Sequence, residues 1–125
     1  MQASERLSAA WGIYEDHGEL GPAWVRAVCL LTRQALEQEL RERVEVLVPG
    51  AGKGTVTLQL ITLRVRGDGL GDAWPIAWTW NALSQACHHK GYELHPSAEQ
   101  VRGWMNSVEA FLRAPTSSGT PCPSR

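Results

Sequence analysis

Lysine, phenylalanine and cysteine are all scarce in these 125 residues, and long apolar runs are absent. No stretch reaches the about 18 consecutive apolar residues of a spanning helix. The opening Met-Gln-Ala-Ser-Glu-Arg has neither the basic nor the apolar region of a secretory leader. Neither membrane spanning nor secretion is expected, so the sequence reads as a soluble, cytoplasmic protein. Cys29, Cys87 and Cys122 are odd in number and far apart, which fits neither a disulfide framework nor a paired zinc knuckle. A net charge of −1 supplies no global field to draw nucleic acid or anionic lipid. Nucleic-acid binding would need a local patch, for which the arginines of the second helix, Arg64 and Arg66 are the candidates.

What is present is ordinary globular material, 43% hydrophobic and 20% charged, in a chain of one-domain length. Six tryptophans stand against a single phenylalanine, which points to a tryptophan-rich core whose indole N–H groups need partners. Leu7, Trp11 and Tyr14 recur at helical spacing behind a potential Ser4 cap, and Gly18 offers a stop. A longer helix opens at Pro22, with Trp24, Val28, Leu31 and Ala35 on one stripe and Val25, Leu36 and Leu40 beside it. Glu37 with Arg41 and Glu39 with Arg43 have the four-residue spacing of a solvated charged face. Helical character fades at Val44 ahead of Pro49, Gly50, Gly52 and Gly54.

Residues 55–66 fit two patterns, because Val56, Leu58, Leu60, Leu63 and Val65 can be taken as alternation or as a helical face. A helix is the favoured reading, and a β-hairpin with Val44, Val46 and Val48 is the alternative. After a glycine-rich loop at 67–72, Pro75 opens a helix carrying Ile76, Trp80, Leu83 and Cys87, with Gly91 beyond it. Ser97 and Gln100 then match a capping box, followed by the apolar face of Val101, Trp104, Met105, Val108, Phe111 and Leu112. The expected fold is all-α, an antiparallel four- to five-helix bundle over residues 1–113. Residues 114–125, poor in apolar side chains, read as a disordered tail.

Two motifs invite chemistry. Pro49 to Thr55 resembles the phosphate-binding loop of adenylate kinases, in which Lys53 would reach a phosphate and Thr55 would offer a hydroxyl. Leu47 stands where that pattern needs its first glycine, and no run of parallel strands follows, so a connector is the expectation. Cys87, His88 and His89, with His95 nearby, offer soft and imidazole ligands. Adjacent helical side chains diverge by about 100°, however, and cannot share one ion. No metal and no cofactor is expected. The histidines then read as cations favoured at a helix C-terminus. Glu15, Asp16, Glu93 and Glu99 are scattered carboxylates, with no spacing that forces two into one site. Trp74, Trp78 and Trp80 crowd one helix, where one stripe can be core and the other an interface.

The segment from Trp80 to Pro96 carries the pattern A-C-H-H-x-x-Y-E-L-x-P and resembles small actinobacterial proteins that accompany plasmids, phages and other mobile elements. An excess of arginine over lysine, ten to two, agrees with such a GC-rich source. The resemblance implies a non-enzymatic accessory role in transfer, spread, maintenance or defence, acting through a protein partner or self-association. Trp74, Trp78, His88 and His89 are the contact candidates. The chain is also distantly similar to HEPN-type helical domains, some of which are ribonucleases. That likeness would make His88, His89 and Tyr92 the residues to suspect as catalytic. No arginine stands four to six residues before His88 or His89, which departs from the HEPN pattern. A nucleic-acid-binding helical domain is the third reading.

Overall fold

The computed structural model describes residues 1–66, 73–88 and 96–114, with the backbone alone at 73 and 74. Among these residues there is no strand, and the fold is all-α. The helices are α1 (Ala3–Glu15), the short α2 (His17–Leu20), α3 (Trp24–Leu47), α4 (Val56–Arg66), α5 (Ala73–Cys87) and α6 (Ala98–Arg113). A single 3-10 turn, Ala51–Lys53, lies between α3 and α4. Residues 115–125, where composition places a disordered tail, lie outside the described residues.

At the start of α1 the cap is Gln2, two residues before the one that pattern suggests. Its backbone N–H donates to Glu5 Oε1 at 2.7 Å, so the acid at the third helical position satisfies an orphan donor and Ser4 simply lies in the first turn. Ala3, Leu7 and Ala10 form the buried stripe. The expected stop at Gly18 is also displaced. The helix breaks at Asp16, and the chain reverses at Gly21, whose φ of 74° lies in the left-handed region open to glycine. His17, between the two, packs its ring 4.4 Å from Trp24 and 5.2 Å from Tyr14.

The longest helix is α3, with 24 residues spanning about 36 Å at 1.5 Å per residue. The helix begins at Trp24 rather than Pro22, and it continues through Val44 to Leu47. Val44 is fully buried, and that packing outweighs the weak helix propensity of its branched side chain. Arg6 on α1 reaches Gln34 at 2.8 Å, while Tyr14 meets Trp24 at a ring distance of 5.6 Å. These two contacts, at opposite ends, fix α1 and α3 as antiparallel. Trp11 Nε1 donates to Glu109 at 3.1 Å and the Tyr14 hydroxyl to the Ala98 carbonyl at 3.1 Å, so α6 also runs antiparallel to α1.

The charged run on α3 is only partly the solvated face that its spacing suggests: Arg41 and Glu42 are exposed and Glu39 pairs with Arg43 as expected, but Arg43 itself is buried. Arg43 is only 4% exposed. Its Nε donates to Glu39 Oε2 at 2.7 Å, and its Nη2 donates to the carbonyls of Phe111, at 2.9 Å, and of Ala114. The guanidinium also lies 4.8 Å from the centre of the Phe111 ring. The physical reason is the end of α6, whose last carbonyls have no intrahelical donor and need one from elsewhere. Ala114 is thereby tied to the bundle. Glu37 pairs with Arg33 at 3.6 Å and accepts from Trp80 Nε1 at 2.8 Å, rather than pairing with Arg41.

Residues 56–66 are helical. Val56, Gln59, Leu60 and Leu63 turn inward at i, i+3, i+4 and i+7, which a strand could not present to one neighbour. Pro75 sits inside the first turn of α5, where its missing N–H costs nothing. Ile76 and Leu83 are buried, whereas Trp80 and Cys87 from the same expected stripe are half-buried at its edge. On α6 the capping box forms as its sequence predicts, with Gln100 N to Ser97 Oγ at 3.1 Å and Ser97 N to Gln100 Oε1 at 2.9 Å. Val101, Met105, Val108 and Phe111 fill the core, and Trp104 lies half-buried against it.

Arg43→Ala should destabilise the chain by about 1.5–3 kcal/mol, the range of hydrogen bonds to charged groups, because Glu39 keeps some contact with water and is not a fully buried orphan. Urea denaturation of the two proteins measures this. An unchanged midpoint would mean that the end of α6 holds without the guanidinium.

Candidate protein-contact face on α4 and α5

The glycine-rich loop comes first, because it fixes where α4 begins. Glu45, near the end of α3, turns its carboxylate into the loop and accepts from Gly50 N at 2.8 Å and Gly52 N at 3.0 Å. The amides that would wrap a phosphate are thus occupied by a side chain of the same protein. The two backbone donors, with a smaller effect of the Lys53 charge, hold the Glu45 carboxyl below the usual carboxylate range. The Thr55 hydroxyl accepts from Leu58 N at 3.2 Å and so caps α4. Gln59 is buried and donates to the carbonyls of Gly52 at 3.0 Å and Gly54 at 2.9 Å. Lys53 is exposed, and Leu47 is helical rather than part of a phosphate-loop strand.

Held in this way, α4 is apolar on two sides. While Leu60 and Leu63 face the bundle, Leu58, Ile61 and Val65 turn outward and are 57%, 53% and 68% exposed. They stand at i, i+3 and i+7, so they form one stripe. On α5, Trp78 is 75% exposed. Between the two helices lies a groove of about 260 Å³. Thr57, Leu60, Ile61 and Arg64 line it from α4; Ala77, Trp80 and Asn81 line it from α5. That volume falls below the about 300–1,000 Å³ of pockets that enclose small molecules, and the groove is better matched to a side chain. Over its 15 residues α5 carries no charged side chain, and α4 carries only Arg64 and Arg66. Depletion of charge with exposed tryptophan is the composition of an interface core.

The residues expected to act divide as follows. Trp78 stands on this face. Trp74 is in the first turn of α5, with only its backbone described. His88 follows α5 directly and is exposed, its N–H donating to Gln85 O at 3.1 Å. His89 and Tyr92 lie outside the described residues, so no geometry joins them to His88. Cys87 is half-buried, and its thiol is raised by burial. Burial pushes the Cys29 thiol up to about 12, with a lesser contribution from Cys87; both cysteines are poor nucleophiles in this setting. Arg64 and Arg66, the candidates for a basic patch, lie at the C-terminal end of α4.

Sequence pattern did not single out Leu58, Ile61 or Val65 as surface residues. The signal was present as the double reading of 55–66, since a helix that also fits alternation has apolar residues on both sides.

Two outcomes follow from the loop. Gly52→Ala should cost about 1–3 kcal/mol, as overpacking does, because a Cβ there meets Glu45 Oε1 at 2.8 Å and the Arg41 carbonyl at 3.1 Å. A thermal midpoint equal to that of wild type would show that the loop yields freely. The lowered Glu45 pKa implies that its stabilisation is complete above the ordinary carboxylate range and disappears as pH falls through the folded-state value. Midpoints measured from neutral to acid pH should therefore fall more steeply for wild type than for Glu45→Gln. Parallel curves would remove Glu45 from the loop's support.

No protein-family model, curated protein or solved structure matches the chain.

Proposed function

We propose that this chain is a non-enzymatic accessory protein of an actinobacterial plasmid, phage or integrated element, and that it acts through protein contacts made by the outer face of α4 and α5. The observation that carries the reading is the outward stripe Leu58, Ile61 and Val65 on α4, of which Ile61 also lines the open groove between α4 and α5, together with the exposed Trp78 on α5. Single exposed apolar residues are common on any protein, whereas several on two neighbouring helices with a groove between them mark a contact surface. The element association rests on the resemblance carried by Ala86 to Pro96. Cytoplasmic placement belongs to the same proposal, and no described helix is long and apolar enough to cross a membrane.

Position-specific cross-linking tests the contact surface. A photoreactive phenylalanine analogue in place of Trp78 should give a discrete cross-linked protein in cells, whereas the same replacement at exposed Glu42 on α3 should not. Equal cross-linking at both positions, or none at either, would refute the reading. The ribonuclease alternative is tested with purified protein and total RNA. Wild type and His88→Ala should both leave the RNA intact, and cleavage lost in His88→Ala would replace the proposed function with a nuclease.

A further inference from the structure

The groove between α4 and α5 has a polar neighbour. A second hollow, of about 190 Å³, lies between α1 and α3 and is lined by Arg6, Gln34, Glu37, Gln38 and Arg41. The two meet where Trp80, which lines the groove, donates its indole N–H to Glu37 at 2.8 Å. The cations lining them are Arg6, Arg41 and Arg64, and the single carboxylate is already committed, because Glu37 takes the Trp80 N–H and faces Arg33 at 3.6 Å. Arg41, which four-residue spacing would pair with Glu37, is thereby exposed and in no ion pair among the described residues. Arg6 gives one N–H to Gln34 at 2.8 Å, and a guanidinium carries five. In a chain of net charge −1, these recesses are a local concentration of positive charge beside an apolar stripe.

We propose that the occupant of this surface is an acidic segment of another protein, with an apolar side chain seated in the α4–α5 groove and carboxylates set against Arg64 and into the hollow of Arg6 and Arg41. The inference rests on the protein-contact reading above and states the partner's chemistry. Charge complementarity carries it: the like sign of the arginines opposes a second copy presenting the same face and attracts a segment of opposite sign. Carboxylate and guanidinium can form two parallel hydrogen bonds, which fixes register as well as sign. A phosphate backbone would cover the arginines but leave Leu58, Ile61 and Val65 in water. A bilayer would bury that stripe but leave the polar hollow unfilled. An acidic segment bearing apolar side chains answers both features.

Selection of a random peptide library, displayed on phage, against the full chain tests the chemistry. Enriched peptides should combine Asp or Glu with Leu, Ile, Phe or Trp. A synthetic copy of an enriched peptide should bind less tightly as salt rises from about 0.05 M to about 0.5 M. Arg41→Gln should weaken it about two- to fivefold, the range of a solvent-exposed pair, and Arg41→Glu should weaken it further. Ile61→Glu, which sets a carboxylate at the groove, should abolish binding. Arg102→Gln on α6, an exposed arginine that lines neither recess, should leave it unchanged. Arg41→Glu should in turn bind the peptide with Lys in place of its acids better than wild type does. Circular dichroism and the thermal midpoint report the fold of each variant, and if Ile61→Glu unfolds, Ala77→Leu, which fills the groove, takes its place. Enriched peptides that are neutral or basic, or an acidic peptide indifferent to both Arg41→Glu and Ile61→Glu, would overturn the proposal. So would total RNA or phosphatidylserine vesicles that bind wild type but not Arg41→Glu while no peptide is enriched. If neutral peptides are lost with Ile61→Glu, or position 78 gives its discrete cross-link with no peptide enriched, the acidic segment is refuted and the contact surface stands. With neither enrichment nor cross-link, both fall.

Discussion

All the other long helices rest on α3, so the burial of α3 constrains everything else. Its inward residues run from Val25 to Val44, with Val28, Cys29, Ala35, Leu36 and Leu40 fully buried between them. A surface helix of a small domain usually commits one stripe to the core. Here α1, α4, α5 and α6 all lie against one helix, and the polar residues of α3 are drawn into the contacts. Arg43 shows the consequence. A guanidinium can be buried only with its donors occupied, and the unsatisfied carbonyls at the end of α6 need donors. Each deficiency resolves the other, and the Phe111 ring adds a face for the cation.

Polar side chains do similar work where helices meet α3 or α1 at their edges. Glu37 takes the indole N–H of Trp80, and Glu109 takes that of Trp11. The two tryptophans are half-buried, with the ring against the core and the N–H at the boundary, which suits an amphipathic aromatic. Among the described tryptophan side chains none is fully buried: Trp11, Trp24, Trp80 and Trp104 are half-buried and Trp78 is exposed, so the core expected to be tryptophan-rich is mainly aliphatic.

The loop between α3 and α4 shows how a motif can be present without its activity. Glycines allow backbone amides to converge on an anion, and in this protein the anion is Glu45. Convergent amides and a lysine therefore describe a loop conformation. What separates a structural use from a phosphate site is whether an internal carboxylate already fills the nest.

By itself the sequence determined the helical class, the capping box at Ser97 and Gln100 and the apolar face of α6, while leaving 55–66 between helix and strand. Each of these depends on residues within a few positions of one another, so local periodicity and capping chemistry suffice. It also marked Trp78 as a contact candidate, because its neighbours at helical spacing assign the core to other residues. The tertiary structure alone decided that Arg43 is buried, that α3 continues through Val44, that Glu45 fills the glycine loop, and that Leu58, Ile61 and Val65 face outward while Leu60 and Leu63 do not. The common reason is distance along the chain or choice of neighbour. Arg43 answers carbonyls 68 and 71 residues away, and an apolar helix with two usable faces takes its inner one only from what packs against it.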